Sequence, residues 1–164
     1  MTNPYSMISI GANPIDQITD YIYIGTFGAA ASLAYKNPEG IKHILNCTDE
    51  THTVLSDKDF IINQISIWDG YPIHPDNIVF CILCIDTAVK NNEKIIVHCH
   101  AGISRSTSIV AAYLMFKTHC TWDQAIEQIV LKRPQVFPHP IVARSIKNFL
   151  GESINQQTTL LGEV

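Results

Sequence analysis

Cys99 and Arg105 stand within His98-Cys99-His100-Ala101-Gly102-Ile103-Ser104-Arg105-Ser106, behind the apolar Ile95-Ile96-Val97 and ahead of a helical pattern. A thiol, a guanidinium, a glycine and two hydroxyls at this spacing describe an anion site with a nucleophile inside it. The β-branched run follows a polar Asn91-Asn92-Glu93-Lys94 turn and predicts a buried strand that delivers Cys99 to its carboxyl end. A helix is predicted from Ser104 to about Thr118. Backbone N–H groups of the loop His100-Ala101-Gly102-Ile103-Ser104-Arg105 and the helix N-terminus would then converge on one point, where Arg105 adds a bidentate clamp suited to phosphate. The same positive site favours a Cys99 thiolate, a nucleophile at neutral pH. Ser106 is placed to hydrogen-bond that sulfur and steady it as a leaving group. The bland alternative is a buried structural cysteine before an ordinary helix, and it gives the glycine, the arginine and the hydroxyls no joint purpose.

The surrounding chain must position this loop. Residues 1 to 13 are polar and interrupted by Pro and Asn, and read as a surface arm. Ile15 to Gly25 carries an aromatic, β-branched run (Tyr21-Ile22-Tyr23-Ile24) that reads as one strand ending at Gly25. Ile41 to Asn46 is a second strand with Cys47 at its carboxyl end. Phe60 to Trp68 alternates apolar and polar residues well enough for a third, and runs into the loop Asp69-Gly70-Tyr71-Pro72. Asp76 to Lys90 reads as a helix capped by Asp76, with Ile78, Ile82, Ile85 and Val89 as its apolar stripe. Beyond the reactive loop, the stretch Ile109 to Phe116 is nearly all apolar, so its helix should be buried. Thr121-Trp122-Asp123-Gln124 has capping-box form for a further helix, which stops before Pro134. A last helix is predicted over about Pro140 to Leu150, closed by Gly151, with residues 152 to 164 as a flexible tail. The order implies an α/β domain over residues 14 to 151: a central, mostly parallel sheet of four to five strands flanked by helices. The reactive loop then lies at the carboxyl ends of the strands, where open α/β sheets bind ligands.

The chain has 164 residues, 46% hydrophobic and 16% charged, which suits one soluble domain with its own core. No apolar run approaches the roughly 18 residues of a membrane span, and no secretory signal is visible at the N-terminus. A net charge of −4 without a Lys/Arg cluster argues against nucleic acid as partner. Five cysteines, one in the reactive loop, favour a reducing compartment, so the cytoplasm, or the nucleus, is expected. Cys81-x-x-Cys84 lies in a helical pattern with no second Cys/His pair at ligand spacing, and core packing explains it better than zinc.

The stretch from His98 to Ser106 resembles the signature of cysteine-dependent protein tyrosine phosphatases, most closely the dual-specificity branch, and Ala112-Tyr113-Leu114-Met115 looks like that branch too. The resemblance covers roughly residues 14 to 150. It implies a short helix over Ala29 to Tyr35 and a phosphocysteine mechanism that needs no metal or organic cofactor. It also implies a carboxylic acid on a loop upstream of the nucleophile, and by resemblance Asp69 carries that role. A turn-forming Asp-Gly is the alternative there. Asp76, read as a helix cap, and Asp59, ahead of its strand, are weaker competitors. His98 is expected to orient the loop by hydrogen bonding, as in the family, and His100 to sit on the pocket rim. Ile103 and Tyr71 are candidates for the pocket walls. His43, His52, His74, His119 and His139 are scattered, and surface or core roles are the default.

Two further expectations remain open. If the strands ending at Cys47 and Cys99 are neighbours, Cys47 comes within disulfide reach of the nucleophile, and the family contains members with such a protective pair. A small buried apolar role for Cys47 is the alternative. The expected function is a protein phosphatase acting on phosphotyrosine and on phosphoserine or phosphothreonine, with a phosphoprotein as partner and no implied oligomeric state. Alternatives are a phosphoinositide or RNA 5′-phosphatase, a rhodanese-like sulfurtransferase and a non-catalytic phospho-binding module. The loop's variable positions carry no lysine, which favours phosphoprotein over lipid or RNA.

Overall fold

The computed structural model describes residues 13–162, with side chains described through Gly151. The expected arm therefore lies outside the described residues, except for Asn13. The elements, in chain order, are β1 (Ile15–Gln17), β2 (Ile22–Gly25), α1 (Phe27–Ser32), β3 (Ile41–Asn46), β4 (Ile61–Gln64), α2 (Pro75–Lys90), β5 (Lys94–His98), α3 (Arg105–Thr118), α4 (Trp122–Lys132) and α5 (Pro140–Gly162).

The five strands form one sheet in the order β1-β2-β5-β3-β4. β5 lies in the middle, parallel to β2 and to β3, and β4 extends the parallel set. β1 closes the other edge antiparallel to β2. The mostly parallel α/β sheet expected from the sequence is the one that forms.

Side chains alternate across a strand, and this sorts the core into two layers. Ile95, Val97 and Cys99 face the large core with Ile22, Ile24, Leu45 and Cys47, against Ile78, Ile82, Ile85 of α2 and Ile109 to Met115 of α3. Ile96 faces the smaller layer with Tyr23, Ile44, Phe60 and Ala30 and Leu33 from the α1 segment. The alternation thus turns Cys99 toward the helices and its neighbour His98 toward α1. α3 is buried almost all round from Ser106 to Met115, as its unbroken apolar run predicts.

Several boundaries differ from the sequence reading, each for a local reason. Ile15 to Gly25 is a hairpin of two strands: the Thr19 hydroxyl accepts from the N–H groups of Tyr21 and Ile22 and turns the chain. α1 starts at Phe27 because Thr26 caps it, accepting from Ala29 N at 3.0 Å. β4 stops at Gln64, since its neighbour β3 ends at Asn46. α2 is capped by His74, whose Nδ1 accepts from Asp76 N, with Pro75 at the first helical position; Asp76 is its acidic first turn. The capping box of α4, Thr121 with Gln124, forms as read. α5 continues to Gly162, past the expected stop at Gly151, so helix replaces the predicted tail over most of its length. A glycine inside a helix costs only about 1 kcal/mol and does not by itself end one.

Candidate active site

A loop that gathers its N–H groups around an anion must turn its carbonyls outward, and each of those needs a donor elsewhere. Every carbonyl from Cys99 to Ser104 has one. His98 Nδ1 donates to Cys99 O at 3.1 Å, and Phe27 N at the start of α1 donates to His100 O at 3.0 Å. Arg133 Nη2 donates to Ala101 O at 3.3 Å and Arg133 Nε to Gly102 O at 2.8 Å. Phe137 N donates to Ile103 O at 2.9 Å, and Ser104 O starts the α3 ladder, accepting from Ser108 N at 2.9 Å. Gly102 has φ +64, and a Cβ there would meet Gly25 O at 2.6 Å, so this position takes only glycine. The cradle's carbonyls are therefore met by five residues: His98 and Ser108 on its own flanks, and Phe27, Arg133 and Phe137 from elsewhere in the chain.

Cys99 is 2% exposed and its Sγ lies 3.3 Å from Ser106 Oγ. Burial alone would raise the thiol pKa. The Ser106 hydroxyl and amide, the Arg105 charge and the Gly102 amide outweigh it, and the net direction is down. Cys99 is held as a thiolate more readily than a free cysteine. Arg105 Nη1 donates to Ile67 O at 3.1 Å, which ties the reactive loop to the segment leading into Asp69.

Ser104 precedes α3 but makes no side-chain cap bond to it. Its hydroxyl donates to Asp69 Oδ1 at 2.7 Å and accepts from His139 N at 2.9 Å. One serine thereby joins the reactive loop, the loop carrying Asp69 and the turn before α5. The His139 ring lies beside Gly70: a Cβ on that glycine would sit 3.4 Å from His139 Nε2. Asp69 is thus hydrogen-bonded to the reactive loop, whereas Asp76 lies in α2 and Asp59 ahead of β4. Trp68 and Tyr71, on either side of Asp69, are 61% and 65% exposed, and Phe137, next to Ile103 through its backbone bond, is 75% exposed.

His98 is fully buried, and its Nε2 lies 2.8 Å from His52 Nε2. Burial pushes His98 down to a pKa of about 4, so it is neutral at physiological pH. Phe27 stacks on the His52 ring at 4.1 Å between centroids and, less closely, on His100 at 5.8 Å. His100 is exposed on the rim, 3.9 Å from Glu50.

β3 and β5 pair Asn46 with His98, and Cys47 N donates to His98 O at 2.9 Å. Cys47 and Cys99 come directly after that pair on neighbouring strands and share the same core layer. Cys47 also contacts Cys81 of α2; that hydrogen bond and burial push its thiol well above the ordinary value. Among the described residues no cluster of His, Cys, Asp or Glu is arranged to hold a metal ion, and no helix is long and apolar enough to cross a membrane.

A family model described as dual specificity phosphatase, catalytic domain, matches residues 22–150. The chain belongs to that family. Dual specificity protein phosphatase 15 of Mus musculus is 29% identical over 137 residues, which are 84% of this chain and 58% of the relative. Dual specificity protein phosphatase 9 of Homo sapiens is 31% identical over 150 residues, 88% of this chain and 36% of the relative. The chain thus spans 36% to 58% of the length of these relatives. Among solved structures, that of DUSP15 superposes with a TM-score of 0.77 at 29% identity, covering 91% of this chain and 95% of the other. PTPMT1 in complex with PI(5)P superposes with a TM-score of 0.76 at 20% identity, covering 89% and 99%; at that identity the likeness is one of fold.

In this dual specificity phosphatase domain three residues near the site escaped the sequence reading. Arg133 is 1% exposed and also binds Asp16 Oδ2 at 2.6 Å and Asn13 O at 2.7 Å. Its only signal was an arginine at the end of an amphipathic helix before a proline, which reads equally well as solvated. His52 and His139 lie in loops, where sequence carries no periodicity to place them.

Proposed function

We propose that this domain is a protein phosphatase that hydrolyses phosphotyrosine and phosphoserine or phosphothreonine through a phosphocysteine. The observation that carries the reading is one cluster: a buried Cys99 with lowered pKa, under a loop whose carbonyls are all turned out, beside Arg105 and an Asp69 tied to the same loop by Ser104. In the first half-reaction the Cys99 thiolate attacks phosphorus in line, forming the S–P bond as the ester O–P bond breaks. Arg105 and the loop amides hold the equatorial oxygens, where the transition-state charge resides. Asp69 delivers a proton to the departing oxygen. Because Oδ1 accepts from Ser104, that proton rides on Oδ2. In the second half, Asp69 takes a proton from water, whose oxygen attacks phosphorus. The S–P bond breaks, orthophosphate leaves, and Ser106 stabilises the returning thiolate.

Protein is favoured over lipid as substrate by the rim. Trp68 and Tyr71 near Asp69, and Phe137 bonded to Ile103, are exposed aromatic side chains, and the loop positions His100, Ala101, Ile103 and Ser104 carry no lysine or arginine that would seat a polyphosphorylated headgroup. A nucleophilic thiolate also suits a reducing compartment, cytoplasm or nucleus. The test is metal-free hydrolysis, with reductant, of matched phosphotyrosine and phosphothreonine peptides beside phosphatidylinositol phosphate vesicles. Turnover of both peptides, abolished in Cys99→Ser, is expected. Turnover of the vesicles alone would replace the protein reading with a lipid one.

A further inference from the structure

We infer that His52 is a positioning residue for the phosphate loop: it fixes the tautomer in which His98 donates to the Cys99 carbonyl. A carbonyl oxygen only accepts, so the 3.1 Å contact from His98 Nδ1 requires the proton on Nδ1. His98 is neutral, and its Nε2 is then a bare acceptor. The atom 2.8 Å away is His52 Nε2, which must supply the hydrogen. That leaves His52 Nδ1 as the unprotonated nitrogen, and it is buried with no hydrogen-bond partner among the described residues. A proton placed on Nδ1 would have no acceptor, and it would leave His52 Nε2 facing His98 Nε2 lone pair to lone pair at 2.8 Å; the form that donates to His98 avoids both. The two imidazoles and the carbonyl form one polarised line: His52 Nε2–H to His98 Nε2, and His98 Nδ1–H to Cys99 O.

Two features make His52 able to impose this. Phe27 stacks on its ring at an interplanar angle of 19°, which holds the ring plane. The Phe27 N–H meanwhile donates to His100 O, so the clamp on His52 and the clamp on the loop belong to one residue. The charged and titratable groups around the pair are Cys99, His100, Arg105 and Glu50. Burial keeps the His98 ring neutral and lowers the pKa of His52 as well. If His98 carried its proton on Nε2, its Nδ1 lone pair would face the Cys99 carbonyl. That carbonyl would rotate toward the anion site and cost Cys99 part of the amide field that holds its thiolate.

The inference rests on the phosphatase reading only for its effect on turnover, so its test needs no substrate. Long-range proton–nitrogen NMR of the imidazoles in the intact chain should find His98 protonated on Nδ1 and His52 on Nε2. In His52→Leu, His98 should redistribute toward Nε2–H. The pH midpoint for iodoacetamide alkylation of Cys99 should rise by about one unit, a tenfold smaller thiolate fraction below it. His52→Gln, which keeps a donor at the same reach, should restore both. His98 protonated on Nε2 in the unmodified chain, or a folded His52→Leu with an unchanged midpoint, would overturn the inference. If His52→Leu does not fold, the wild-type tautomers and the glutamine variant decide it. Expected tautomers in a protein inert on every phosphate ester would count against the phosphatase reading alone.

Discussion

Arg133 Nε donates to Gly102 O at 2.8 Å, from a guanidinium that is itself 1% exposed. The same side chain reaches Ala101 O, Asn13 O and the Asp16 carboxylate. A flat fork of five donors can satisfy four acceptors at once, and a lysine ammonium cannot. Arg133→Met would leave Asp16 uncompensated and two loop carbonyls unpaired. A loss of about 3–5 kcal/mol in unfolding free energy is expected. Arg133→Lys should fold but lose about tenfold in kcat/KM on an aryl phosphate, read against thermal unfolding of the same sample. A lysine variant with full activity would show that the loop does not depend on this clamp.

Ser106 touches the sulfur of Cys99 at 3.3 Å, and its hydroxyl and amide are the main groups that offset burial there. A lowered thiol pKa means that the thiolate persists below the ordinary cysteine range and is lost as pH falls through the folded value. Ser106→Ala should move the acid limb of kcat/KM, and the midpoint of Cys99 alkylation, to higher pH. It should also slow the second half-reaction more than the first, so that a burst of leaving group precedes the steady state. Stopped-flow release of p-nitrophenol reads both effects.

The Ser104–Asp69 bond of 2.7 Å links Asp69, the proposed acid, to the reactive loop. Asp69→Asn should cost about 10²–10⁴-fold on phosphoserine, whose alkoxide leaves poorly without a proton. On p-nitrophenyl phosphate the loss should be far smaller, because that phenoxide is stable unprotonated. Ser104→Ala should show the same leaving-group dependence in weaker form. Equal losses on both substrates would remove Asp69 from the role of acid.

Neighbouring parallel strands lie about 4.8 Å apart, within the range of Cα separations that disulfides span. We propose that Cys47 traps an oxidised Cys99. Peroxide oxidises the thiolate to a sulfenic acid, releasing hydroxide, and the Cys47 thiol then condenses with it to the disulfide, releasing water. Mass spectrometry after mild peroxide should find a Cys47–Cys99 linked peptide, and dithiothreitol should restore activity. A Cys99 sulfinate without the linked peptide would leave Cys47 as a core residue beside Cys81.

The sequence carried those parts of the molecule that local chemistry dictates. The strand into Cys99, the glycine at 102 and the buried helix from Arg105 stem from residue types at fixed spacing. Asp69 came from family resemblance, and its bond to Ser104 could not be read in advance because the two lie on separate loops. The hidden part was long-range. Arg133 is far along the chain from Asp16 and ends a helix whose pattern is ordinary, and His52 has no neighbours in sequence that announce His98. Gly151 misled for a different reason: one glycine's cost is small beside the helix propensity of the Glu, Gln and Leu residues C-terminal to it.

A phosphate bonded to the Cys99 sulfur is the step on which the mechanism turns. Ser106→Ala, mixed with a phosphotyrosine peptide and quenched in acid within milliseconds, should yield the peptide containing Cys99 with one phosphoryl group attached, and Cys99→Ser should yield none. Turnover without that adduct, or with the phosphoryl group on another residue, would contradict a phosphocysteine at Cys99.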